Sequence, residues 1–96
     1  AARRAELLAA CALREGSEAG QRGAWDQAVL AARRGLRDVP GHPDLGRALG
    51  VALYNQALAE VNAGRCAGVV ELLDEAAPLG APADGIRTMR ARCPRP

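Results

Sequence analysis

Phenylalanine and lysine are missing from this chain, and tryptophan, tyrosine, methionine and histidine occur once each. A core without bulky rings must be built from alanine and leucine, two of the strongest helix formers. β-Branched residues are also scarce, which argues against a sheet. No stretch approaches the roughly 20 apolar residues of a membrane-spanning helix. The long uncharged run ALGVALYNQALA is shorter and carries Asn and Gln. Charge of one sign is not in excess either. The formal net charge is +2, too little to argue for nucleic acid by itself. No secretory signal is visible, and the absence of an initial Met suggests a piece of something longer. Cysteine is sparse: Cys11, Cys66 and Cys93. An odd number argues against a closed disulfide framework. Each lies in a helical pattern, where a free cysteine behaves as a small hydrophobe. That points to the cytoplasm.

What is present is punctuated helix. Ninety-six residues make one domain. A first helix is expected over about 2–20, with Ala5, Ala9, Ala12, Gly16 and Ala19 as a ridge of small residues that lets a neighbour come close. GQRG breaks it. A second, over about 24–38, places Ala28, Ala31, Ala32 and Leu36 on one face with Trp25, and Pro40 stops it. Pro43 and Asp44 suit the first turn of a third helix, which runs to about 63. A fourth is expected over about 66–77. A fifth, over about 83–92, turns Ile86 and Met89 inward. Short connections make neighbours antiparallel. The expected architecture is therefore all-α, with hairpins at about 2–39 and 43–77 and a capping helix at about 83–92.

Gly23 laid over Gly64 superposes GAWDQAVLAARRGL on GRCAGVVELLDEAA, pairing Trp25 with Cys66, Ala28 with Val69 and Ala32 with Leu73. Gly23, Trp25, Ala28, Leu36 and Pro40, with Gly16 seven residues before Gly23, resemble a tetratricopeptide repeat (TPR). Leu53, Tyr54, Asn55 and Ala57 resemble the start of that repeat's first helix in a second copy. Two features depart from the pattern. The period is 41 residues, with first helices about two turns longer than usual. Glu15, Gln56 and Glu60 also stand where large apolar residues are usual.

The resemblance implies a protein-interaction module that binds a peptide along a groove lined by the first helix of each hairpin. Mapped by position, the groove shows Leu13, Arg14 and Ser17, then Val51, Tyr54, Asn55, Leu58, Val61 and Asn62. Leu13 and Ser17 replace the Lys and Asn of the family's chaperone-tail clamps, so tail binding is not expected. The stripe Val51, Tyr54, Leu58 and Val61 has three readings: a ligand groove anchored by Tyr54, a face packed within the chain, or a homodimer face. Trp25 is expected to wedge between paired helices, burying roughly 150–250 Å².

No chemistry stands out beyond binding. Cys11, His42, Cys66 and Cys93 could formally ligate zinc, but no two have metal-site spacing. His42 is expected in an exposed linker, without a neighbouring acid and nucleophile. GHPDLG lacks the Lys-Ser/Thr ending of a phosphate loop. Neither an enzyme nor a cofactor is expected. Arg87, Arg90, Arg92 and Arg95 make the C-terminal end basic, which keeps a nucleic-acid reading open. It lacks aromatics for stacking bases, and Glu71, Asp74 and Glu75 offer counter-charges.

Overall fold

The computed structural model describes residues 2–96. Five helices follow one another: α1 (Ala2–Gln21), α2 (Trp25–Asp38), α3 (Pro43–Asn62), α4 (Val69–Ala76) and α5 (Ala83–Arg92). A 3₁₀ turn, Ala77–Leu79, follows α4, and no strand occurs among the described residues. The five-helix, all-α expectation matches the structure.

Helix ends follow local chemistry. Gly23 and Gly64 both take positive φ, +72° and +76°, each closing a 20-residue helix. The starts of α1 and α3 are separated by the same 41 residues as these glycines. The 41-residue offset thus holds for the first helices and their closing turns but not for the second helices, since α2 starts two residues after Gly23 and α4 five after Gly64. His42 is half-buried rather than a free linker residue, and its Nδ1 accepts the Leu45 N–H at 3.4 Å. It caps α3 where Pro43 supplies no donor. The fourth helix starts three residues later than expected, because Gly68 takes φ +80° at its N-cap.

The small-residue ridge of α1 packs on α2 with antiparallel register. Ala12 approaches Gly35, Gly16 approaches Ala28 and Ala31, and Gly20 lies under Trp25. Leu45, fully buried, packs with Ala9 and Ala12 where α3 begins. Further along, Leu49 and Leu53 of α3 close on Ala28, Val29 and Ala32. The other end of α3 sets Ala57 and Val61 against Val69 and Leu73, then Ile86 and Met89. Alanine's small radius lets these helices approach closely, which compensates for the lack of large rings.

Two positions that depart from the repeat pattern carry ion pairs. Glu15 pairs with Arg34 of α2, and Glu60 pairs with Arg65. Both carboxyls are held below their ordinary value, chiefly by the arginine hydrogen bond. Arg33 makes a bidentate pair with Glu75, at 2.5 and 2.8 Å, tying α2 to α4.

The cysteine expectation needs correction. Cys66 lies in the turn before α4, not in a helix, and is bonded to Cys93 at the C-cap of α5, with Cα atoms 5.3 Å apart. Only Cys11 is free, and it is exposed. An odd count rules out complete pairing, not one bond. The turn after α3 bends the chain back to the end of α5, a juxtaposition that spacing alone does not reveal.

Candidate functional site

Between α1 and α3 lies an open groove of about 510 Å³. Its α1 wall is Ala12, Leu13, Gly16, Ser17, Gly20 and Gln21. Ala48, Val51 and Ala52 form the α3 wall, and Ala28 and Ala32 of α2 lie at its base. Trp25 lines the end near the α1–α2 turn. No charged side chain lines this groove. Its width follows from composition: glycines and alanines keep the walls low. A methyl on Gly20 would stand 3.0 Å from the Trp25 ring, so the indole rests directly on the α1 backbone.

Three of the nine residues expected at a groove meet here: Leu13, Ser17 and Val51. Val51 is 55% exposed, and unlike the likewise exposed Leu7 and Leu30 it borders this groove. The other six lie elsewhere. Arg14 is on a different face of α1, paired with Glu18 beside Leu7 and Cys11. Asn55 turns its amide back to donate to the Val51 carbonyl at 2.9 Å. Asn62 is exposed at the last turn of α3. Tyr54 and Leu58 are half-buried against the cluster of Ala57, Val69, Leu73, Ile86 and Met89, and Val61 is 5% exposed within it. The apolar stripe is therefore divided. Val51 faces the groove, whereas Tyr54, Leu58 and Val61 support α4 and α5. α3 continues past the groove, and α5 packs on its far end.

Trp25 also departs from expectation. It is half-buried, not a fully buried wedge, and one side borders the groove. The repeat pattern places that aromatic between helices, which implies a purely structural role. Gly16 and Gly20, four residues apart on the face that carries Ala12, were the signal for an open wall beneath it.

His42 caps α3 and Cys66 is bonded to Cys93, so neither is a free ligand for the formal zinc set. Among the described residues, no group of three or more His, Cys, Asp or Glu is placed to hold a metal. At the basic C-terminal end, Arg87 pairs with Asp84, while Arg90 and Arg95 both reach Asp74. No helix among the described residues is long and apolar enough to cross a membrane. Comparisons with family models, with curated proteins and with solved structures found no match to this chain.

Proposed function

We propose that this chain is a TPR-like protein-interaction module, not an enzyme, and that it takes a peptide segment of a partner in the groove between α1 and α3. The observation that carries the reading is the exposure of Val51 opposite Leu13 in an uncharged channel with an alanine base and a glycine-bearing α1 wall. Apolar concave sites with a few polar groups are where binding energy concentrates. Ser17 and Gln21 are the polar groups available to a peptide backbone. The absence of lining charge favours an apolar segment over an acidic or basic one. The nucleic-acid reading is weakened because Asp84 pairs with Arg87 and Asp74 is shared by Arg90 and Arg95, which lowers the positive charge of this end.

The proposed setting is an oxidising compartment. Disulfides persist there and are rare in the cytoplasm, and the Cys66–Cys93 bond removes the ground for a cytoplasmic assignment.

Selection of a displayed peptide library on the protein, repeated on Val51→Asp, tests the groove. Enrichment of apolar segments that Val51→Asp abolishes supports it. Peptides that bind both forms equally place the working surface elsewhere. Concentration-dependent mass in solution, lost in Val51→Asp, would make the same groove a self-association face instead.

A further inference from the structure

We propose that the Cys66–Cys93 disulfide is a redox lock on α5, and that its reduction by a dithiol releases this helix from α3 while α1–α3 stay folded. The inference stands on how α5 is attached, independently of the peptide reading. At ten residues, α5 is shorter than helices that hold themselves together in water. Its N-cap, Pro82, contributes no side-chain hydrogen bond. It is preceded by Gly80 at φ +91° and by Ala81 and Pro82, so the linker holds no helix of its own beyond the Ala77–Leu79 turn. Ile86, Met89 and Cys93 are its buried side chains. The polar ties of Arg90 and Arg95 to Asp74 are solvent-exposed, and such pairs hold weakly. Apart from the packing of Ile86 and Met89, the covalent bond at the far end is the main attachment of this segment, and it is the one a reductant can remove.

The bond is also presented for exchange. Cys66 is exposed in its turn, whereas Cys93 is 2% exposed. A dithiol's thiolate reaches the Cys66 sulfur, forms a mixed disulfide and expels Cys93 as a thiolate. The reductant's second thiol then closes its own disulfide and releases Cys66. Two electrons pass to the protein, and the reductant's two thiol protons end on Cys66 and Cys93. Beneath α5 lie Tyr54, Leu58 and Val61, which continue the helical face begun by Val51. Release therefore extends the exposed apolar face of α3 from the groove toward its C-terminal end.

Amide hydrogen exchange on the oxidised chain, on the chain held in dithiothreitol, and on Cys66→Ser tests the lock. Cys66→Ser breaks the bond while leaving the buried Cys93 side chain in place. The expected result is a loss of protection in α5 of about tenfold or more, with α1–α3 protection and Trp25 emission unchanged. Binding of an apolar dye should rise in parallel. If α5 stays as protected as in the oxidised chain, the bond is not what holds it and the proposal fails. Loss of protection through α1–α3 together with α5 also overturns it, because the bond is then a staple for the whole domain.

Discussion

Tyr54 lies so close over Gly85 that a methyl at position 85 would meet the ring carbon Cζ at 2.8 Å, with the hydroxyl nearer still. This contact sets the distance between α3 and α5. Gly85→Ala raises helix propensity by about 1 kcal/mol in the abstract. Here the clash should win, because overpacking at a tight contact costs about 1–3 kcal/mol. Urea denaturation should show Gly85→Ala less stable than wild type. Tyr54→Phe in the same background should recover part of the loss, since it deletes the atom in closest conflict.

Two further glycines separate space from propensity. A Cβ on Gly35 would stand 2.7 Å from the Ala12 Cβ and 2.8 Å from Leu45 Cδ2. Gly46, also helical, has nothing within 4 Å of that position. Gly35→Ala should therefore destabilise by about 1–3 kcal/mol. Gly46→Ala should stabilise by roughly 0.5–1 kcal/mol, through helix propensity and a less flexible unfolded chain. Thermal melts of the two variants should move in opposite directions.

These contacts show what the sequence made legible. Glycine, proline and apolar period located all five helices, because those signals are local. The turn glycines Gly23 and Gly64 even gave the repeat its register. The division of the Val51–Val61 stripe was not readable. Whether α5 covers Tyr54 depends on Gly85 and on a bond between residues 27 apart in sequence. Both are matters of long-range placement. The openness of the groove was not readable either: the sequence presents Gly16 as part of a ridge for close packing and Gly20 as a helix end, and only the packing of α1 on α2 brings Trp25 over Gly20.

Trp25 should behave as a half-buried residue. Trp25→Ala should cost about 1–3 kcal/mol, below the range for a fully buried aromatic. Because the indole borders the groove, its emission should also shift when a peptide binds. A melt as costly as complete core truncation, with emission blind to ligand, would contradict this placement.

Acid should loosen the tie between α2 and α4. The Glu75 carboxyl is held below its ordinary value of 4.5, first by its hydrogen bonds to Arg33. Its folded value is thus lower than its unfolded one. The contribution is complete above about pH 4.5 and is lost as pH falls through the lowered folded value. Glu75 is about two-fifths exposed, so solvent screening limits the pair to about 0.5 kcal/mol. The stability difference between wild type and Glu75→Gln, measured from pH 7 downward, should shrink toward zero across that window.

Val51 and Tyr54 stand one helical turn apart on α3, yet their substitutions should have different consequences. Val51 is 55% exposed and borders the groove, so Val51→Asp removes little packing and should leave the melting temperature nearly unchanged. A carboxylate there faces Leu13 across an uncharged channel and would have to be desolvated by any apolar ligand. Binding of a selected peptide should weaken by about 2 kcal/mol or more, the scale of a hot-spot loss. Tyr54→Ala should do the reverse. It takes a half-buried ring from between α3 and α5, so it should lower the melting temperature and change affinity only as far as the domain unfolds. Calorimetry of both variants beside isothermal titration with one peptide separates the two effects. A Tyr54→Ala variant that melts normally but no longer binds would move the working surface from the α1–α3 groove to the α5 side of α3.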